Sequence, residues 1–172
     1  MFHVERKYKS LYSSVLPMIF TIFFLCTSCS IGKIGYQIDD YYIAENGKEI
    51  LGTKPLNAFI FENNLRNVPF QQFVAVKYNL NNFLANEIWI TINETRFKLI
   101  IYEHNEFEKY FGYNNFAAIN KETIANVVGN QSVFLAVSLV SDQNEDALNP
   151  NSLYYQISTQ YLKNLKDEYL NF

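Results

Sequence analysis

Cysteine is nearly absent: the 172 residues contain two, Cys26 and Cys29, both ahead of residue 30. Everything downstream therefore lacks the thiols for a disulfide, a thiolate metal site or a cysteine nucleophile. Histidine is as scarce, with only His3 and His104. A single histidine beyond the N-terminal stretch excludes a His-His metal site and a two-histidine mechanism there. The six glycines are scattered, and no glycine-rich phosphate loop or Gly-x-Ser-x-Gly elbow occurs. Basic residues are outnumbered 14 to 17 and do not cluster beyond the N-terminal stretch, which argues against nucleic-acid binding, because phosphate contacts need Lys and Arg on one face. The N-terminal apolar run, Val15–Leu25, is 11 residues long, short of the roughly 20 that cross a bilayer.

What is present is globular in composition, 49% hydrophobic and 17% aromatic, as a packed domain requires and a disordered or collagenous chain does not. The first residues carry Arg6, Lys7 and Lys9 against Glu5, then the apolar run, then Cys26-Thr27-Ser28-Cys29-Ser30. A basic start followed by an apolar stretch of roughly 7 to 15 residues is the layout of a secretory signal. Thr27 and Ser28 directly before Cys29 resemble the lipobox of bacterial lipoproteins, in which the cysteine is lipidated on sulfur and begins the mature chain. That family usually has Leu three residues before the cysteine; here Cys26 stands there, with Leu25 one step further back. The resemblance covers only about the first 30 residues. It implies a signal peptide over 1–28, a lipidated tether over 29–35 and a single globular domain over 36–172.

An uncleaved anchor is the alternative, since Ser10 to Gly32 holds no charged residue. Polar Tyr12, Ser13 and Ser14 at one end and Thr27, Ser28 and Ser30 at the other shorten its apolar part to signal-peptide length. Lipidation at Cys29 makes the membrane a partner, with each buried methylene contributing about 0.8 kcal/mol and more than one chain giving stable attachment. The expected location is the bacterial cell envelope. In some lipoproteins acids just after the lipidated cysteine mark surface export; no acid occurs here between Cys29 and Asp39, so the resemblance implies a periplasm-facing position.

Loss of residues 1–28 removes three basic residues and one acid, leaving 11 basic against 16 acidic. The hydropathy pattern predicts strands over Tyr36–Ala44, Leu56–Phe61 and Phe116–Ile119, with a turn at Asn46-Gly47 and a return strand through Ile50 and Leu51. A helix is predicted from Val68 to Tyr78, with Pro69 in its first turn. Glu87–Ile92 and Phe97–Tyr102 around Asn93 to Arg96 read as a β-hairpin. Glu106–Phe111 reads as a short helix closed by Gly112, and the apolar run Ser132–Val140 as a central strand covered on both faces. Asn149 and Pro150 open a C-terminal helix whose stripe is Leu153, Ile157, Tyr161, Leu165 and Tyr169. The mixture lacks regular βαβ alternation and predicts an α+β fold, an antiparallel sheet packed against two or three helices.

Few residues present themselves as a site. His104 is a candidate base that Glu103 or Glu106 would orient; the ordinary reading is an exposed histidine at the end of a hairpin. Asp142, Asn144 and Asp146 alternate as the first ligands of a calcium loop do, but Ala147 stands where Gly is needed and Leu153 where the bidentate Glu is needed. An acidic connector is the competing reading. Paired carboxylates among Glu103, Glu106, Asp142 and Asp146 would suit glycan hydrolysis only if the fold brings two of them together. Abundant Tyr, Phe and Asn fit either a sugar-binding face or an aromatic core, and one tryptophan, Trp89, favours the core. No cofactor is implied. The expected role is a non-enzymatic envelope protein, accessory or immunity-type, whose acidic domain binds a protein partner. The alternatives are a cell-wall or glycan hydrolase and a calcium- or sugar-binding module.

Overall fold

The computed structural model describes residues 35–50, 52, 54–63, 68–117 and 133–172, which fall in one compact unit. The elements, in chain order, are β1 (Tyr36–Gln37), β2 (Tyr42–Ala44), β3 (Ala58–Glu62), α1 (Phe70–Lys77), β4 (Glu87–Ile92) and β5 (Thr95–Ile101). They continue with α2 (His104–Tyr110), a 3-10 turn over Tyr113–Asn115, β6 (Phe116–Ala117), β7 (Phe134–Ser141) and α3 (Tyr155–Leu170). Five strands form an antiparallel sheet in the order β2-β3-β7-β5-β4, while β1 and β6 make a separate parallel pair. The fold is α+β, as the hydropathy pattern indicates. No helix among the described residues is long and apolar enough to cross a membrane, and Cys29 lies outside them.

Strand alternation assigns each residue to a face. One face presents Phe59, Phe61, Ile88, Ile90, Phe97, Leu99, Val137 and Leu139, and α1 and α3 close over it with Phe70, Phe73, Leu162, Leu165 and Tyr169. Burying that many aromatic and branched side chains, each contributing roughly 1.5–3 kcal/mol, makes this layer the main stabilising core. The opposite face is covered unevenly. Near β3 and β7, α2 seals it with Phe107 and Phe111 against Ile60, Phe134 and Ala136. Farther along, the segment before β3 lays Leu56 and Ile50 on Ile100 and Val140. At β4 nothing described covers it, so the strand alternates exposed and buried residues. All eight residues of β7 are buried because it sits mid-sheet with cover on both sides.

Local chemistry explains the ends of the elements. The hairpin turn is the residue pair Asn93-Glu94, both at positive φ (45° and 67°), the backbone twist that a two-residue hairpin needs. Pro69 sits at the N-cap of α1 rather than inside its first turn. Gly112, at φ 69°, stops α2 in the left-handed conformation that costs a glycine little.

Several expectations shift. The strand expected over Tyr36–Ala44 is two, β1 and β2, in separate sheets. The segment after Asn46-Gly47 does not pair with β2; its partner there is β3, in register Tyr42↔Ile60. Gly47 and Lys48 instead exchange backbone hydrogen bonds with Leu56 (2.8 and 3.1 Å), and Leu51 lies outside the described residues. The strand at Phe116 is two residues long, with Ile119 outside the described residues. The C-terminal helix starts at Tyr155, because Asn149 and Ser152 accept hydrogen bonds from the N–H groups of Asn151 (2.9 Å) and Tyr154 (3.1 Å), holding that stretch in turns.

Candidate functional site

Two adjoining clefts share Glu45 and Asn46, residues of the turn that follows β2. The first, of about 430 Å³, is aromatic: Tyr36 from β1, Tyr42 from β2, Tyr110 and Phe111 from the end of α2, and Phe116 from β6 line it together with Asn115. Tyr36 and Tyr42 remain 60% and 38% exposed. Their rings lie 5.0 Å apart, and Tyr42 meets Phe116 edge-on at 6.2 Å.

The floor of this groove is built from the core outward. Phe107 packs against Phe111 (5.4 Å) and stacks on Phe134 (6.2 Å), anchoring α2 to the sheet. The turn at Gly112 then sends the chain back, with Tyr113 N–H donating to Glu108 (2.8 Å) and Asn115 Nδ2 donating to the Phe111 carbonyl (2.6 Å). Phe116 thereby pairs with Tyr36 in the short parallel ribbon. That approach requires glycine at position 35, where a Cβ would stand 2.6 Å from the Phe116 carbonyl carbon.

The second cleft, of about 550 Å³, is polar, with Asn57, Asn144, Asn149, Lys54 and Asp146 on its walls. Asp146 is half-buried, and burial pushes its carboxyl above the usual range. Its two oxygens accept the N–H groups of Asn57 (2.8 Å) and Leu148 (2.9 Å). Asp146 therefore ties the start of β3 to the connector after β7. Behind this cleft runs a relay in which the Tyr102 and Ser138 hydroxyls each accept one hydrogen bond and donate another. Lys48 N–H donates to Tyr102 Oη (2.9 Å), Tyr102 donates to Ser138 Oγ (3.0 Å), and Ser138 donates to the Asn57 carbonyl (2.6 Å).

The residues singled out in the sequence divide into two groups. His104, Glu103 and Glu106 stand at the N-terminus of α2. His104 Nδ1 is 2.7 Å from Tyr113 Oη, and its ring packs beside the Tyr113 ring at 4.9 Å. Glu103 and Glu106 form a capping box, with Asn86 donating to Glu103 and Lys48 paired to Glu106 at 2.9 Å. These are the duties of a helix start. Asp142 and Asp146 belong to the connector after β7. Asp142 is exposed, with its N–H donated to the Arg96 carbonyl (3.2 Å). Ser141 Oγ accepts the N–H groups of Gln143 (3.3 Å) and Glu145 (3.1 Å), folding the connector into a turn around a hydroxyl. Neither cleft is lined by members of both groups, and of the four acids only Asp146 reaches either one. Among the described residues, no three His, Cys, Asp or Glu side chains gather where they could hold a metal ion.

Most of the aromatic surplus is core, but Tyr36 and Tyr42 were not separable from it in sequence. Tyr36 is placed by the pairing of β1 with β6 and Tyr42 by the pairing of β2 with β3, contacts between segments distant in the chain. Comparison with protein-family models, curated proteins and solved structures finds no match to this chain.

Proposed function

We propose that this chain is a lipoprotein of the bacterial envelope, anchored through Cys29 and facing the periplasm. Its domain binds a partner without catalysis, as an accessory or immunity-type protein does. The groove formed by Tyr36, Tyr42 and Phe116, with Glu45 and Asn46 at its end, is the binding surface in this reading. The single observation that carries it is that aromatic rings stay exposed there beside polar groups. Tyrosines with one apolar side and one hydrogen-bonding end are enriched at protein interfaces for that reason. An acidic carboxylate at the groove's end, on an acidic domain, complements a basic partner.

A sugar-binding module is the second reading, favoured by the same groove, since rings beside side-chain amides also suit a glycan.

The test uses the full chain expressed in a bacterial cell with a photoreactive residue at position 42, and again at exposed position 153 as control. Position 42 should crosslink one envelope protein, and Tyr36→Ala should reduce that product about tenfold, the effect of removing an interface anchor worth about 1.4 kcal/mol. In the same cells, Cys29→Ala should move the chain out of the membrane fraction. Crosslinks at 42 to cell-wall glycan would transfer the groove to the second reading, and none at 42 beyond those at 153 would remove it from both.

A further inference from the structure

We propose that β4 is a homodimerisation edge, pairing antiparallel with β4 of a second copy to continue the sheet across both subunits. Among the described residues β4 pairs only with β5, so one side of this six-residue strand ends the sheet. The two-residue turn decides which backbone groups that side offers. Ile92 and Thr95 close the hairpin as a hydrogen-bonded pair, so Ile90 and Ile88 also exchange their bonds with β5. Glu87, Trp89 and Thr91 consequently aim their N–H and C=O groups outward.

Edge strands usually carry a device against pairing, such as a proline, a lysine, a bulge or a covering loop. The sequence Glu87-Ile-Trp-Ile-Thr-Ile92 has no proline, glycine or lysine, and its register with β5 runs without a bulge. Exposed apolar side chains gather around it as well. Phe83 and Leu84, in the segment leading into β4, and Trp89 on its outer face are among the large hydrophobic residues left exposed, Trp89 by 46%.

The occupant is argued from self-complementarity. A two-fold axis through Trp89 places Trp89 opposite the partner's Trp89, Ile88 opposite the partner's Ile90, and Glu87 opposite the partner's Thr91. This register uses all the outward-facing backbone groups, for about six interchain hydrogen bonds. It also matches charge. Arg96 stands beside Thr91 on β5, so Glu87 shares a cross-strand row with the partner's Arg96, separated only by a threonine. The two tryptophans would meet at the centre, each already flanked by Arg96 (4.9 Å) and Lys98 (5.3 Å) of its own subunit. Cations held over tryptophan faces add to such a contact.

The experiment is sedimentation equilibrium of the full chain in detergent, for wild type and Thr91→Pro. Proline at 91 deletes an outward N–H and leaves the β5 ladder intact, as proline on an edge strand does. The expected result is a dimer for wild type and at least tenfold weaker association for Thr91→Pro, which keeps the wild-type circular-dichroism spectrum and a cooperative unfolding transition. A Trp89→Cys chain supplies the second readout, because directly opposed residues lie about 5.5 Å apart between Cα atoms, within disulfide range. It should crosslink under mild oxidation where Lys98→Cys does not. A wild type that stays monomeric, a dimer indifferent to Thr91→Pro, or equal crosslinking at 89 and 98 would each overturn the proposal. Should Thr91→Pro fail to fold, the crosslinking pair decides.

Discussion

Ser138 is a hydroxyl in the middle of a wholly buried strand, a position that would cost stability without a partner. Its acceptance of Tyr102 and donation to Asn57 remove that cost and couple three separate stretches of chain. Gly47 belongs to the same arrangement, since a Cβ there would stand 2.5 Å from Tyr102 Oη. Tyr102→Phe leaves the Lys48 N–H and the Ser138 hydroxyl each short of a partner, and the expected loss is about 1–3 kcal/mol of unfolding free energy in denaturant titration. None of this could be read in advance. The sequence places Tyr102 at the end of a strand and Ser138 in an apolar run, and nothing in either neighbourhood says they meet. Glu103 and Glu106 read in sequence as carboxylates that would orient His104, and in the fold they form the capping box of a helix that begins at His104, two residues before the start read from the pattern.

Among the elements, α3 tests how far periodicity reaches. Its buried positions are Ser158, Leu162, Leu165, Lys166 and Tyr169, with Ile157 and Tyr161 partly covered. The four-residue spacing is present, but the stripe does not extend to Leu153, which lies before the helix and is 95% exposed. Leu165→Ala should therefore cost about 2–5 kcal/mol, the range for deleting a buried leucine. Leu153→Ala should change stability by less than about 0.5 kcal/mol, as at ordinary surface sites. Equal effects in thermal or denaturant unfolding would contradict this packing. The β4–β5 hairpin was the most legible element, because its alternation is strict on β4 and Asn93 suits a positive φ, although the turn is the pair Asn93-Glu94 and not the four residues to Arg96. The Asn46-Gly47 turn was legible as a turn, but which strand would pair with β2 was not, since pairing is a contact between distant segments.

At the scale of the whole molecule, burial of phenols links stability to alkaline pH. Tyr169 and Tyr161 are pushed up to about 12, both by burial, with Glu168 adding to the shift at Tyr161. Burial likewise raises Tyr102, and its ion pair with Glu106 raises Lys48. For a raised group the folded state holds its proton longer than the unfolded chain does. Stability is therefore complete below about pH 10 and falls between about 10 and 12, by about 1.4 kcal/mol per pH unit for each tyrosine. Melting temperatures measured from pH 8 upward should stay level and then drop, and Tyr169→Phe should make the drop shallower. The sequence by itself determined the α+β class, the hairpin, the central strand and the absence of thiol and paired-histidine chemistry from the domain. These depend on composition and on side-chain period, which are properties of neighbouring residues. Only the tertiary structure decided that the four acids separate into two groups, that Tyr36 and Tyr42 face outward beside Glu45, and that β4 ends the sheet among the described residues. Those placements follow from pairing between residues far apart in the chain, β1 with β6, β2 with β3 and β5 with β7, and local pattern carries no record of which strands will meet.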